Sequence, residues 1–397
     1  MSLDRELAAA LAERRAQSRY RQRRVLGSAQ GVSVIADGTP LVNFCSNDYL
    51  GLANNDHALA AMRRASETFG CGGGASHLVC GHSSEHHALE EELADFTGRD
   101  RALLFSTGYM ANLGVIQALA DRSSVVYEDK LNHASLLDGA LLSRAKLQRY
   151  RHLGLDQLRQ QLSTDSSSRK LIVSDGIFSM DGDAAPLSEL AEVAEQHRAW
   201  LMVDDAHGFG CIGATGGGLA EMCGMTQDNL PILVGTLGKA FGSFGAFVAG
   251  SETLIESLIQ FSRTYIYTTS IPPAVAAVSR ANLQIIRTES WRREKLMSLV
   301  AYFRRACEAE NIPIMLSSSP IQPVLIGEEK TALALSEYLR EEGFWVGAIR
   351  PPTVPEGTSR LRITLCAEHS EAQVEQLVSA LAIGWRKLGS IARDGSN

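Results

Sequence analysis

Short apolar runs recur through the middle of the chain, flanked by stretches whose apolar residues return every three or four positions. The runs fall at 102–106, 125–127, 170–174, 200–204 and 230–234. Runs of this length without polar alternation predict strands buried on both faces. Their alternation with helical patterns predicts a mainly parallel sheet covered by helices. Phe247–Ala249 adds an expected strand at the sheet edge, and Pro272 and Pro273 precede a long helical pattern reaching about Ala309. The texture then changes to short strands near 321–326, 343–349 and 360–365. A capping box from Ser370 to Gln373 opens a last helix with Val374, Leu377, Val378, Leu381 and Trp385 on one face. Upstream of the sheet, residues 4 to about 24 predict an amphipathic helix with a basic face. Residues 43–52 are polar and turn-rich, and 70–82 are too rich in glycine for regular structure. The expected organisation is an N-terminal arm and extended segment over 1–45, a large α/β domain over 46–290 and a smaller α+β domain over 291–397.

Composition narrows the function classes. With 397 residues, 45% of them hydrophobic, the chain can fill a large core. A net charge of -7 gives no reason to expect a nucleic-acid partner. No apolar run approaches ~18 residues, so no membrane span is expected. The N-terminal stretch has no continuous apolar segment before its arginines, as a secretory signal would, and Asp4, Glu6 and Glu13 disfavour a mitochondrial presequence. Seven cysteines without a C-x-x-C pair fit free thiols in a reducing cytoplasm. His82 and His86 stand four apart, but no carboxylate or thiol pattern supports them, and no metal site is expected. The glycine-rich stretch at 70–82 lacks P-loop spacing.

The candidate chemistry gathers at strand ends. After the run Ile232–Val234 comes a turn in which Gly235, Gly238 and Gly242 leave little bulk around Lys239. An amine so placed can approach a flat carbonyl compound and form a Schiff base, although a surface lysine in a glycine-rich loop would read the same. The run Trp200–Val203 ends in Asp204, Asp205, Ala206 and His207. Lys239 lies 35 residues after Asp204, room for one helix and the next strand. That spacing puts both strand ends on one edge of a parallel sheet. One carboxylate and one lysine there match the two needs of pyridoxal phosphate: an amine for the aldehyde and an anion for the ring nitrogen. A structural Asp–Lys pair is the alternative. Ala102–Ser106 followed by Thr107, Gly108 and Tyr109 is a strand, glycine turn and helix start of the kind that offers N–H groups to phosphate. His133 begins the next helix, either to lie flat on an aromatic cofactor or to cap the turn. Ser179, in DGIFSMDGD, falls on the same expected edge.

Eight segments carry a wider resemblance: NFCSNDYLGL, STGYMANLG, LNHASLLDG, FSMDGD, VDDAHGFG, GTLGKAFG, TTSIPP and RPPTVPEGTSRLRITL. Together, in this order and nearly end to end, they resemble the α-oxoamine synthases, a subgroup of the fold-type I pyridoxal-phosphate enzymes. The resemblance implies a large sheet domain and a smaller C-terminal domain. It makes Lys239 the Schiff-base lysine, Asp204 the partner of the ring nitrogen and His133 the residue stacked on the ring. His207 and Ser179 would contact the phenolic oxygen, while Gly108, Tyr109 and Thr236 would surround the cofactor and its phosphate. Thr268 or Thr269 would reach the phosphate from a second subunit, which implies a homodimer with shared active sites. Arg21 and Thr353 match substrate-contacting positions, Arg362 the arginine that holds the amino-acid carboxylate, and Asn47 lies in the same region. The MDGDAAPL and IRPPTVPEGTSRLRITL segments most resemble the members that join L-alanine to a pimeloyl thioester, carried on CoA or on a carrier protein. Glycine-using members with short acyl-CoA donors are the alternative, and a non-catalytic cofactor-binding protein is a remoter one.

Overall fold

Seven strands form the sheet at the centre of the computed structural model, which describes residues 2–394. They are β1 (Arg101–Phe105), β2 (Ser124–Asp129), β3 (Lys146–Tyr150), β4 (Arg169–Asp175), β5 (Trp200–Asp204), β6 (Ile232–Thr236) and β7 (Ala246–Gly250). Their order across the sheet is β1-β7-β6-β5-β4-β2-β3. β7 runs antiparallel to both neighbours, and every other pair among the central strands is parallel. The register sets Asp175 opposite Asp204 and Asp204 opposite Val234. The carboxyl ends of β4, β5 and β6 therefore share one edge, the side on which open α/β sheets bind ligands.

These strands are apolar because helices cover both faces. Val126, Leu171, Val173, Met202, Ile232, Val234 and Val248 are all buried, packed with Ala111, Val115 and Ile116 of the helix Gly108–Leu119. At roughly 25 cal/mol per Å² of apolar surface removed from water, this layer is the main stabilising contribution to the sheet.

One expectation about this sheet needs correction. Phe247–Ala249 does form a strand, but β7 sits between β1 and β6 rather than at the edge. All five of its residues are buried, as an interior position requires. The edge strand β3 carries Lys146, Gln148 and Arg149, so it offers no apolar run to read.

The sheet belongs to a unit formed by Asn47–Ser179 and Asp183–Glu294. The remaining residues, up to Ser46, Met180–Gly182 and from Lys295 onward, form a second unit. There, Ser33–Ala36 pairs with Thr39–Asn43, which also takes Phe344–Trp345 as a parallel neighbour. A second small sheet has the order Ile321–Gly327, Ser359–Thr364, Gly347–Ile349, antiparallel throughout. The three-residue excursion Met180–Gly182 is held there by an Asp181–Arg360 ion pair and by Ser317 Oγ donating to Gly182 O at 2.8 Å. The capping box forms as read: Ser370 N–H donates to Gln373 Oε1 at 2.9 Å, and Gln373 N–H to Ser370 Oγ at 3.1 Å. It opens the helix Glu371–Asp394.

The N-terminal helix is shorter than expected, spanning Leu3–Ala16 with no buried residue. Beyond it the segment RYRQRR has no apolar period to extend a helical face. Arg19 instead reaches Glu329 and Glu356, each at 3.0 Å. The long pattern after Pro272 is likewise two helices, Pro273–Thr288 and Ser290–Ala309, broken at Glu289. Among the described residues, no helix is long and apolar enough to cross a membrane.

Candidate active site

Lys239 stands in a tight turn between β6 and β7. Leu237 N–H donates to Gly245 O at 2.9 Å, Ser243 N–H to Leu237 O at 2.9 Å and Gly242 N–H to Lys239 O at 2.8 Å. Thr236 closes the base: its Oγ1 donates to Gly245 O at 3.1 Å and accepts Gly238 N–H at 3.2 Å. Gly242 is required here, because its φ is +58° and a Cβ would meet Ala53 N at 2.3 Å. Gly235 is required by contact, since a Cβ would lie 2.4 Å from the Phe247 ring. The turn therefore fixes where the Lys239 backbone sits and leaves its side chain only half-buried.

Of the two adjacent aspartates after β5, only Asp204 faces the groups with chemistry. Asp205 turns the other way, accepts Leu219 N–H at 2.5 Å, and is pushed up to about 7 by complete burial. Asp204 is buried; its Oδ1 accepts Ala206 N–H at 3.0 Å and its Oδ2 accepts Asn112 Nδ2 at 2.6 Å. His133 is the N-cap of the helix Ala134–Ser143, and its Nδ1 accepts Ser135 N–H at 3.3 Å. Its own backbone N–H donates to Asp175 at 2.8 Å, which fixes the ring's root to the end of β4. Burial lowers the His133 pKa; the Asp204 charge opposes that shift and the Lys239 charge adds to it. Asp175, fully buried beside Asp204, is raised well above the carboxylate range by desolvation and then by its neighbour's charge. The three expected catalytic residues thus act electrostatically on one another. Neither Asn112 nor Asp175 is among the residues that the sequence leads one to expect in the site. Asn112 is a fully buried polar side chain on the helix Gly108–Leu119.

His207 is tied to the start of this unit. Its Nδ1 lies 2.7 Å from Tyr49 Oη, which is also 3.1 Å from Asn47 Oδ1. The buried Tyr49 thereby joins two residues expected to serve one site. Ser179 follows β4 in a loop closed by Phe178 N–H donating to Asp183 O at 2.9 Å and by an Ile177–Ala184 bridge. His152 clamps that loop. Its Nδ1 is 3.0 Å from Asp129, its Nε2 is 2.7 Å from Asp183, and its ring stands edge-on to Phe178.

Burial alone would lower the His152 pKa, but the hydrogen bonds and charges of Asp129 and Asp183 outweigh it and hold the imidazole at about 9. Because the folded value lies above the ordinary ~6.5, this contribution is fully present below about pH 6.5 and is lost as pH rises through about 9. A His152→Gln variant should be about 1 kcal/mol less stable below pH ~6.5, after solvent screening. That deficit should shrink above pH ~9. Urea midpoints across this range measure it; a pH-independent deficit would show that the ring is merely packed.

Gly108 begins the helix that Thr107 caps, with Oγ1 accepting Met110 N–H at 3.1 Å, and nothing lies within 4 Å of where a Gly108 Cβ would be. Tyr109 is part-exposed, donates to Asp138, and stands edge-on to His133 with ring centroids 6.3 Å apart. Thr268 is half-buried and Thr269 exposed in the turn after the short helix Arg263–Ile266. Arg21, Thr353 and Arg362 belong to the second unit. Two of them meet: Arg21 Nη2 donates to Thr353 Oγ1 at 3.3 Å across 332 residues of sequence. Arg362 is buried in the strand Ser359–Thr364.

An amine, a carboxylate, an imidazole and an uncrowded helix N-terminus along one sheet edge fit pyridoxal phosphate. They supply partners for its aldehyde, ring nitrogen, ring face and phosphate. Known proteins agree. The profile of the aminotransferase class I and II family matches residues 39–381. An 8-amino-7-oxononanoate synthase of Saccharophagus degradans is 62% identical over 384 residues, covering 96% of this chain and 97% of that protein. One of Cellvibrio japonicus is 59% identical over 379 residues, covering 96% and 95%. Among solved structures, serine palmitoyltransferase from S. paucimobilis, determined with a bound PLP–myriocin aldimine, superposes with a TM-score of 0.93. It is 31% identical and covers 98% of this chain and 100% of its own. The 8-amino-7-oxononanoate synthase of Francisella tularensis gives 0.77 at 31% identity, covering 87% and 98%. Family and neighbours alike indicate pyridoxal phosphate as the cofactor. The chain belongs to the aminotransferase class I and II family and, within it, to the 8-amino-7-oxononanoate synthases.

Proposed function

We propose that this enzyme condenses L-alanine with a pimeloyl thioester, on CoA or on a carrier protein. The products are 8-amino-7-oxononanoate, carbon dioxide and the free thiol, a step of biotin biosynthesis. The observation that carries this reading is that the ends of β4, β5 and β6 bring Asp204, Lys239 and His133 to one sheet edge, where Asp204 and Lys239 both act on the His133 imidazole. Pyridoxal phosphate, when bound, supplies the electron sink for the negative charge left at the amino-acid Cα.

The chain's own residues do the rest. Lys239 would hold the cofactor through its aldehyde, and its amine, when free and neutral, would take the Cα proton. Asp204 keeps the ring nitrogen protonated, and His133 covers a ring face. His207 and Ser179 take the phenolic oxygen, and Gly108, Tyr109 and Thr236 line the cofactor and its phosphate. Thr268 or Thr269 would serve the phosphate from the second subunit of a homodimer. Arg362, with Asn47, takes the amino-acid carboxylate through a planar two-point contact. The acyl carbon would then bond to Cα as the thiolate leaves and takes a proton from solvent; the former carboxylate would depart as carbon dioxide, and Cα would take back the proton that Lys239 had held. Mass spectrometry of products from alanine and pimeloyl-CoA tests this, with glycine and acetyl-CoA as controls. A product formed only from glycine would overturn the substrate assignment.

Arg21 and Thr353 are proposed to contact the acyl donor. The prolines at 351 and 352 stiffen the segment that presents Thr353, so little order is lost on binding. Arg21→Ala should raise the donor KM about tenfold or more, the worth of a hydrogen bond to a charged group. Exchange of the alanine Cα hydrogen without donor should persist. Loss of that exchange with donor KM unchanged would place Arg21 in the amino-acid site instead.

A further inference from the structure

Between Asp204 and His133 runs a chain of hydrogen bonds in which every proton has only one place to go. Asn112 Nδ2 lies 2.6 Å from Asp204 Oδ2 and 2.8 Å from Ser135 Oγ, so its two hydrogens are both committed. Ser135 Oγ, accepting one of them, lies 2.8 Å from His133 Nδ1 and donates its own hydrogen there. The same Nδ1 accepts the Ser135 backbone N–H, a group that can only donate. Nδ1 therefore carries a lone pair, and the imidazole proton resides on Nε2. At the other end, both Asp204 oxygens accept N–H groups, from Ala206 and from Asn112. The Asn112 amide oxygen is buried without a hydrogen-bond partner. Turning the amide over would set that oxygen against the carboxylate, so the unsatisfied acceptor marks which end is under demand.

We propose that Asn112 is a positioning residue that fixes the Asp204 carboxylate directly and, through Ser135, sets His133 as the Nε2–H tautomer. The proposal rests on the pyridoxal-phosphate reading for its purpose: the ring nitrogen needs an anion, and the ring face needs an uncharged imidazole. The other groups facing His133 pull in both directions. Lys239 disfavours a positive ring; Asp204 and Asp138 would favour one; Asp175 engages only the His133 backbone, and Tyr109 presents a ring edge. With two carboxylates drawing a proton toward His133, the Nδ1 acceptor role set by Ser135 counts against protonation. Burial lowers the His133 pKa in the same sense.

Histidine labelled with 15N reads the relay directly in two-bond proton–nitrogen spectra of His133, in the holoenzyme and after cofactor removal. The wild type should show a protonated Nε2 and a bare Nδ1 in both forms. Asn112→Leu frees the Ser135 hydroxyl and removes a donor from Asp204. With only the longer 3.3 Å backbone contact left to hold Nδ1 as an acceptor, the share of the Nε2–H tautomer at His133 should fall, and the Kd for pyridoxal phosphate should rise about 10- to 100-fold, the factor lost with a hydrogen bond to a charged group. Asn112→Asp keeps the shape but sets two carboxylates together. Cofactor affinity should fall about tenfold or more near pH ~8 and recover near pH ~6, as one proton comes to be shared by the pair. A purely structural role would show no such recovery. Tautomer and affinity within about twofold of wild type in a folded Asn112→Leu would overturn the proposal. A pH-independent loss in Asn112→Asp would also overturn it, even if the leucine variant does not fold. Wild type that binds no pyridoxal phosphate would sink the functional reading instead, and the cofactor-free spectra would still decide whether the relay exists.

Discussion

Replacing Lys239 with alanine should lower turnover at least about 10³-fold, because one side chain supplies both the covalent hold on the cofactor and the base. The fold should survive. The turn is shaped by backbone bonds between Leu237, Gly242, Ser243 and Gly245, none of which needs the lysine side chain. Thermal unfolding of the variant without cofactor should therefore match wild type while product formation disappears. Borohydride treatment of the wild-type holoenzyme should couple the cofactor covalently to Lys239 alone. A label recovered on Lys130 or Lys170 would overturn the assignment of the site.

Asp204→Asn separates electrostatics from shape. The amide fits where the carboxylate fits, but it cannot hold a proton on the ring nitrogen. It also sets an NH2 group against either Ala206 N–H or the Asn112 amide, both of which now donate to Asp204. Exchange of the alanine Cα hydrogen with solvent deuterium should fall on the order of 10²- to 10³-fold, comparable to losing one preorganised electrostatic contact. Far-ultraviolet dichroism should be unchanged. Exchange close to the wild-type rate would show that Asp204 is not the ring partner.

Much of this site was legible because its residues sit where an apolar run stops. Asp204 and Lys239 each follow a buried strand, and the change from apolar to polar or glycine-rich marks the carboxyl edge. The supporting groups were harder to see. Asn112 lies within a helix, where a single buried amide does not disturb the apolar pattern. Tyr49 reads as an aromatic core residue, and only its hydroxyl, bridging Asn47 and His207, shows its second role. The position of β7 was misread because an apolar strand says that both faces are covered, not which neighbours it pairs with. Its side chains carry no trace of the partners its backbone takes. The N-terminal helix was overextended for a related reason: a run of arginines keeps a plausible helical charge pattern after the apolar repeat has ended.

The placement of β7 also bears on how the chain is made. Among the described residues β1 pairs with no other strand of this sheet, so both of its edges remain open until Gly250 has been synthesised. Throughout that interval an apolar segment, Ala102–Phe105, is available to pair with another nascent chain. Slowing translation between β1 and β7 should therefore send more product into aggregates than an equal pause placed after Gly250.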